Sequence, residues 1–168
     1  LEEEGAEVSH YPVDLAQDQE LAQALEDMRA KYGRINGIIH CAGVAGDGFV
    51  FRKEETTFNQ VIEPKIHGTW NLDRLTREDE PDFFILFSSI NAHYGQPGQG
   101  DYTAANSYMD SFAAYRNQLG LDTLAINWAA WQEIGMAVDY GVNNQQGIFK
   151  PLPTKMALTS FDQLLQKD

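Results

Sequence analysis

Apolar residues along the chain follow two alternating patterns, one typical of strands and one typical of helices. Short runs rich in β-branched and aromatic residues predict four strands, over residues 8–15, 35–40, 83–87 and 123–128. Pro12 lies in the first run and favours a sheet edge or a strand end for that segment. The continuous apolar character of the third run is typical of a parallel strand that is covered on both faces.

Three stretches between these runs carry apolar residues at helical spacing. They predict helices over residues 18–31, 57–77 and 102–119. Gly33 and Gly120 follow the first and the third stretch, where glycine commonly ends a helix, and Pro64 predicts a bend within the second. Strands that alternate with helices in this way predict an α/β fold with a doubly wound parallel sheet. Residues 132–153, rich in Gly, Asn and Gln, predict a mobile loop.

The chain is acidic, with 12 Lys and Arg against 25 Asp and Glu among 168 residues and a net charge of -13. This charge repels phosphate backbones and anionic membranes, so the sequence predicts no nucleic-acid or membrane partner. Its single cysteine, Cys41, excludes an internal disulfide and belongs to no zinc-binding spacing. No apolar run is long enough to span a bilayer, and the first residues are acidic, unlike a secretion signal. We therefore expect one domain of a cytoplasmic protein without a metal site.

Residues directly after the predicted strands are the first candidates for a ligand site, because ligands of open α/β sheets bind beyond the carboxyl ends of the strands. Such positions are held by Asp14 at the end of the first strand, by Ala42 and Gly43 after the second, and by Ser88 and Ser89 after the third. Small residues after the second strand would let a cofactor approach the backbone closely. An Ala-Gly pair is also common in ordinary turns, so this signal alone decides nothing.

Four polar residues form a more specific pattern. Tyr102 lies in the first turn of a predicted helix and Asn106 one turn later, so the two side chains share a helix face that Ser89 can approach. In carbonyl reduction, a phenol can donate a proton to the developing alkoxide. A cation must lower the pKa of that phenol, and Lys65 on the long helix is the candidate. Taken singly, the four residues also fit an interfacial aromatic, a solvated helix residue, a cap and a surface charge.

Five motifs of this chain resemble those of ketoreductase domains of modular polyketide synthases, which are relatives of short-chain dehydrogenases/reductases. They are IHCAGV at residues 39–44, EPKIHGT at 63–69, LFSS at 86–89, GQPGQGDYTAAN at 95–106 and INWAAW at 126–131. The resemblance covers nearly the whole chain, and several ordered motifs are far more specific than one glycine-rich pattern. Ordinary short-chain reductases carry a lysine one turn after the tyrosine. This chain has Asn106 there and Lys65 far upstream, the arrangement typical of synthase ketoreductases.

The resemblance implies a Rossmann-like fold and the NADPH-dependent reduction of a β-ketoacyl thioester. An acyl carrier protein would deliver this substrate on a phosphopantetheine arm, among neighbouring synthase domains. By the same transfer, Tyr102 donates the proton, Ser89 orients the ketone, and Lys65 and Asn106 complete the catalytic site. The predicted NADPH contacts are Asp14 at the adenine end, Ala42 and Gly43 at the ribose, and Lys65 and Tyr102.

The resemblance also implies a substrate side of the site. Residues 132–153 would form a substrate lid, with Met136 touching the acyl chain. Leu-Asp-Asp after the second strand marks B-type family members, which form a D-hydroxyl, whereas a Trp shortly before the tyrosine marks the A-type. This chain retains only the last position of the first marker, Asp47, and has Tyr94 where the Trp would stand. The comparison favours the B-type.

No G-x-G-x-x-G loop occurs among the 168 residues, although this fold needs one to hold the pyrophosphate. The family would place that loop before Leu1. We therefore expect an N-terminally truncated fragment without the first βαβ unit, in which the strand over residues 8–15 has no neighbour. Such a fragment is expected to bind NADPH weakly or not at all.

Two other functions remain open from the sequence. A stand-alone short-chain reductase is disfavoured by the exchange of Lys65 and Asn106. A structural ketoreductase remnant that scaffolds a synthase module without turnover is disfavoured because Ser89, Tyr102 and Lys65 are all present.

Overall fold

The computed structural model describes residues 5–46, 48–141 and 149–166, and its centre is one parallel sheet of three strands. The strands are β1 (Gly37–His40), β2 (Phe83–Ser89) and β3 (Thr123–Trp128), in the order β1-β2-β3. Ile39 pairs with Ile85 in the first ladder, and Ser89 pairs with Trp128 in the second. The carboxyl ends of all three strands therefore meet at one edge of the sheet. The predicted α/β fold is confirmed.

Six α-helices accompany the sheet within these ranges. They are α1 (Asp18–Tyr32), α2 (Glu55–Thr76), α3 (Asn91–Tyr94), α4 (Gly100–Gln118), α5 (Met136–Asp139) and α6 (Thr154–Leu165). Helix α2 is long and contains Pro64, as the sequence predicts. Gly33 follows α1 with φ at 83°, and its N–H donates to Arg29 O at 2.9 Å, so the predicted glycine stop of this helix is confirmed.

The hydrophobic core joins the sheet to α1, α2 and α4. Its buried members are Leu21, Leu25, Ile38, Leu72, Phe84, Leu86, Met109, Phe112 and Ala113. Phe84, Leu86 and Met109 are at most 1% exposed, and burial of each such side chain stabilises the fold by about 1.5–3 kcal/mol. Since this layer packs α4 against β2, it also fixes Tyr102 on α4 relative to Ser89 on β2.

A buried ion pair joins the far ends of two helices to the sheet. Arg116 of α4 pairs with Asp73 of α2, and their side chains are only 4% and 1% exposed. Arg116 Nε also donates to Thr123 Oγ1 at 2.8 Å, and the guanidinium lies 4.2 Å from the centre of the Phe84 ring. The arginine is thus enclosed by polar and aromatic partners from three elements.

Replacement of Arg116 by Ala is expected to lower the free energy of unfolding by about 3 kcal/mol, because the buried Asp73 carboxylate then keeps only the half-exposed Arg77 as an ionic partner. Urea unfolding of the wild type and the variant measures this loss. The matched control is Arg74→Ala, since Arg74 pairs with Asp18 at the surface and its loss should cost less than about 1 kcal/mol. Equal losses in both variants would contradict the account.

The prediction of a strand over residues 8–15 is wrong. The segment belongs to no strand, and β1 pairs only with β2 in the described part of the chain. A strand requires a ladder partner, so the β-branched and aromatic composition does not suffice here. Instead, Asp14 accepts a hydrogen bond from Ala16 N at 2.9 Å and forms the turn that leads into α1.

Helix α6 was missed by the sequence analysis, and α5 interrupts a segment that was expected to be a loop. Phe161 of α6 packs edge-on against Phe87 of β2, with ring centres 5.6 Å apart. This tertiary contact stabilises a helix of 12 residues, a length at which an isolated helix is marginal in water. Across the three described ranges, no helix combines the length and apolar character needed to cross a bilayer.

Candidate active site

The carboxyl ends of the three strands border a cavity of ≈ 700 Å³. Its walls include Cys41 and Ala45 after β1, Lys65 of α2, Ser88 and Ser89 of β2, Tyr102 of α4, and Trp128 to Trp131 at the end of β3. The volume is within the range of about 300–1,000 Å³ that is usual for ligand pockets. Three of the four predicted catalytic residues, Ser89, Tyr102 and Lys65, thus line a single cavity.

Tyr102 and Asn106 are stacked one helical turn apart on α4. Asn106 is fully buried, and its Nδ2 donates to Tyr102 O at 2.7 Å. Its Oδ1 is buried and has no hydrogen-bond partner among the residues described. The amide is therefore held one turn beneath Tyr102, with one buried acceptor left unsatisfied.

Lys65 extends from α2 into the same site and is almost completely buried. Its Nζ donates to Phe87 O at 2.9 Å and contacts Met109 Sδ at 3.4 Å. Burial lowers the pKa of Lys65 to about 8, so the amine is still mostly protonated at neutral pH. A Cβ built on Gly43 would lie 2.9 Å from Lys65 Cε, and this close approach explains the glycine there.

The expected effect of Lys65 on the phenol is not found in this arrangement. Burial raises the pKa of Tyr102, and the side chains of Ser89 and Asn106 only partly oppose the rise. Within the described ranges, the Lys65 ammonium is bonded to Phe87 O and Met109 Sδ, not to the phenol. That Lys65 lowers the pKa of Tyr102 therefore stays a prediction, since in this arrangement removal of the phenol from water outweighs the effect of the neighbouring groups.

A side-chain bridge behind the site was missed by the sequence analysis. Asn127 of β3 shares the two hydrogens of its Nδ2 among three acceptors, Ser88 Oγ at 3.1 Å, Ser89 O at 3.3 Å and Asp110 Oδ2 at 2.8 Å. Ser88 Oγ in turn donates to Asn106 O at 3.3 Å. The bridge fixes the tip of β2 against α4. Asn127 lies within one of the five motifs, and Asp110 lies two turns after Tyr102, which is the only signal that the sequence offers.

Aromatic and aliphatic side chains form the opposite wall of the cavity. Tyr94 and Met136, the predicted substrate-side residues, both line it. The rings of Tyr94 and Phe149 lie against each other, with centres 4.9 Å apart. This wall suits an apolar chain. The third predicted substrate-side residue, Asp47, lies outside the described residues.

Backbone hydrogen bonds join the two ends of the segment over residues 132–153. Gln132 N donates to Leu152 O at 2.9 Å, and Leu152 N donates to Ala130 O at 2.7 Å. Of the described residues between these ends, Ile134 to Ala137, Tyr140 and Phe149 line the cavity. The arrangement is compatible with the predicted substrate lid. Residues 142–148 of that segment lie outside the described ranges.

The predicted cofactor residues fall into two groups. Lys65 and Tyr102 line the cavity, and Ala42 and Gly43 lie between Cys41 and Ala45, which also line it. Asp14 is exposed and is not among the lining residues. Its contact with the adenine end of NADPH stays a prediction. No cluster of three or more potential metal ligands occurs in the part of the chain that the structure describes.

Sequence comparison finds similarity to ketoreductases along most of the chain. The model of the KR domain family matches residues 1–133. The polyketide synthase PksN of Bacillus subtilis (strain 168) is 39% identical over 145 residues, a match that covers 83% of this chain and 3% of PksN. The chain therefore spans only a small part of the length of this curated relative.

Structural comparison finds the same similarity. A ketoreductase domain from the bacillaene assembly line is 36% identical with a TM-score of 0.87, and the match covers 99% of this chain and 42% of that one. A structure described as that of A-type ketoreductases from modular polyketide synthase is 32% identical with a TM-score of 0.89, and the match covers 98% of this chain and 35% of that one.

Proposed function

Since the chain belongs to the KR domain family of polyketide synthases, we propose that it carries the catalytic residues of an NADPH-dependent ketoreductase. The reaction is the reduction of a β-ketoacyl thioester to the 3-hydroxyacyl form during polyketide biosynthesis. One observation carries the proposal: Ser89, Tyr102 and Lys65 line one cavity, and the buried Asn106 lies directly beneath Tyr102. A scaffold without turnover would not need these four residues together.

The proton comes from Tyr102. The Ser89 hydroxyl lies beside the phenol and donates a hydrogen bond to the ketone oxygen, while the Tyr102 hydroxyl transfers its proton to the oxygen as negative charge develops there. Both groups lie in a partly dehydrated site, where such interactions are stronger than in water. Lys65 keeps a positive charge near this oxygen at neutral pH and so favours the alkoxide.

The residues around Lys65 fit the nicotinamide-ribose end of NADPH. A protonated lysine has three donor hydrogens, and among the residues that the structure describes Lys65 Nζ contacts two partners, Phe87 O and Met109 Sδ. The third hydrogen is available for a ribose hydroxyl, and Ala42 and Gly43 leave room for a sugar ring. When bound, NADPH supplies the hydride for the ketone carbon. The chain contains no glycine-rich loop for the pyrophosphate, so this fit concerns one end of the cofactor.

The proposed substrate carrier is an acyl carrier protein with a phosphopantetheinyl β-ketoacyl chain, within a cytoplasmic synthase. The apolar wall that includes Tyr94 and Met136 supports an acyl substrate. The test is NADPH oxidation by the protein expressed from the complete reading frame that contains these residues, with a β-ketoacyl thioester as substrate. Substrate-dependent oxidation supports the proposal, and oxidation at the rate without substrate contradicts it.

Reduction should slow as the pH rises through about 8. Lys65 has a pKa of about 8 in the folded chain, so it loses its charge above that pH and no longer favours the alkoxide. The measurement is kcat/KM between about pH 6 and about pH 10, a range that brackets this pKa and the usual lysine value. A profile without an inflection near pH 8 would contradict the role of the charged amine.

The product is expected to be the D-3-hydroxyacyl thioester, the B-type outcome. Support comes from Asp47 in the loop after β1 and from Tyr94 in place of the Trp that marks the A-type. Chiral chromatography of the product, after release from its thioester, measures the configuration. Predominance of the L-isomer would overturn the B-type assignment and leave the ketoreductase proposal intact.

A further inference from the structure

A second buried ion pair lies directly beside Tyr102, outside the cavity. Lys53 Nζ is 2.5 Å from Asp101 Oδ2, and the two side chains are 2% and 0% exposed. Neither residue lines the cavity, so neither is placed to contact a substrate there. Asp101 immediately precedes Tyr102 in α4, and its Oδ1 accepts a hydrogen bond from Tyr102 N at 2.9 Å. The pair is therefore attached to the backbone of the proposed proton donor.

The same ion pair holds the loop that follows β1. Lys53 Nζ donates to Gly46 O at 2.6 Å. A Cβ built on Gly46 would lie 2.8 Å from Val61 Cγ2, so the loop is pressed against α2. Gly48 N donates to Gly98 O at 3.1 Å and ties the other side of the loop to the segment before α4. These contacts dock the loop on the start of the helix that carries Tyr102.

This loop is also a wall of the cavity, because Ala45 lines it together with Ser89 and Tyr102. A ketone carbon can receive hydride on either of two faces, and the wall next to the proton donor limits how the substrate lies. A displacement of about 1 Å in such a wall can reduce the rate of reaction by roughly 10²-fold.

A buried ion pair is a poor way to gain stability, because two well-packed apolar residues often stabilise a fold equally or better. A buried ion pair can instead fix the relative position of the two segments that carry it, since each charge must reach its partner. We propose that Lys53 and Asp101 are positioning residues that fix the loop after β1 relative to Tyr102 and thereby determine the rate and the stereochemistry of ketone reduction. The inference rests on the proposed function.

The test compares the wild type with the double variant Lys53→Met/Asp101→Asn in the protein expressed from the complete reading frame. The double variant removes both charges together and leaves no unpaired buried charge, and Asn keeps an Oδ1 acceptor for Tyr102 N. Its kcat should fall about 10- to 100-fold with a change in KM below about threefold. The ratio of D- to L-product should fall at least about fivefold. Amide hydrogen exchange in the loop after β1 should become faster.

Two variants separate positioning from general structural damage. Arg74→Met/Asp18→Asn removes an exposed ion pair between α2 and α1 and should leave kcat, product ratio and loop exchange unchanged. Lys53→Met alone leaves the buried Asp101 carboxylate without its cation and should lower the product ratio further than the double variant does. A single variant with the product ratio of the double variant would show that the charge is not what positions the loop.

The outcomes distinguish this inference from the proposed function. A wild type that does not reduce the thioester contradicts the proposed function, and the positioning of the loop is then decided by hydrogen exchange alone. An active wild type, together with a double variant of unchanged product ratio and unchanged loop exchange, overturns the inference and leaves the proposed function standing.

Discussion

Replacement of Tyr102 by Phe should lower kcat for ketone reduction by about 10²- to 10⁴-fold, the usual contribution of a positioned proton donor. The variant removes one oxygen atom and keeps the aromatic ring. The core that packs α4 against β2 does not include this oxygen, so the fold should be retained. The decrease in kcat therefore measures the loss of the proton donor and not a loss of structure.

The matched control is Tyr108→Phe on the same helix. The Tyr108 ring stacks against Phe112 with ring centres 5.7 Å apart, and Tyr108 does not line the cavity. The same loss of one hydroxyl should change kcat less than about twofold there, as expected for a group outside the site. A Tyr102→Phe variant that retains more than about a third of wild-type kcat would show that another group donates the proton.

Replacement of Lys65 by Met should have opposite effects on activity and on stability. The rate of reduction should fall by about 10²-fold or more, because the positive charge that favours the alkoxide is lost. At neutral pH, however, the charged amine is costly to bury. A pKa lowered from 10.5 to about 8 corresponds to a cost of roughly 3 kcal/mol.

The dependence on pH gives the sign of this stability effect. The unfolded chain binds the lysine proton more tightly than the folded chain, so the cost is fully present below about pH 8 and disappears as the pH rises towards 10.5. Met removes the cost but also leaves Phe87 O without its donor, so we expect a net gain of about 1–2 kcal/mol at neutral pH. Urea unfolding near pH 7 and near pH 10 measures the gain, which should be smaller at the higher pH. A variant that is less stable than the wild type at neutral pH would contradict this argument.

The sheet and the convergence of Ser89, Tyr102 and Asn106 could be predicted from sequence because their signals are local. The continuous apolar run of β2 ends in Ser88 and Ser89, and Tyr102 and Asn106 share a helix face through their spacing alone. Lys65, far upstream of Tyr102, was a candidate because the phenol needs a nearby cation, and the resemblance supported this choice. The prediction of a strand over residues 8–15 was wrong because a strand needs a neighbouring strand to pair with, and a local sequence pattern does not indicate whether one is present.

The polar contacts that hold the site in place could not be predicted, because they join residues far apart in sequence. Lys53 and Asp101 are 48 positions apart, and Asn127 and Ser88 are 39 positions apart. Lys, Asp, Asn and Ser are residue types that usually lie at the surface, so the sequence alone gives no sign of these contacts. Only the packing of α4 on the sheet brings them together and makes their burial evident.

The most direct test of the central claim uses NADPH that carries deuterium at the transferable position of the nicotinamide ring. The protein from the complete reading frame is incubated with this cofactor and a carrier-bound β-ketoacyl thioester, and the acyl chain is analysed by mass spectrometry. The account predicts a 3-hydroxyacyl product with one deuterium on the carbon that bears the hydroxyl, and almost none with Tyr102→Phe. Recovery of the unreduced ketone from the wild type would contradict the account.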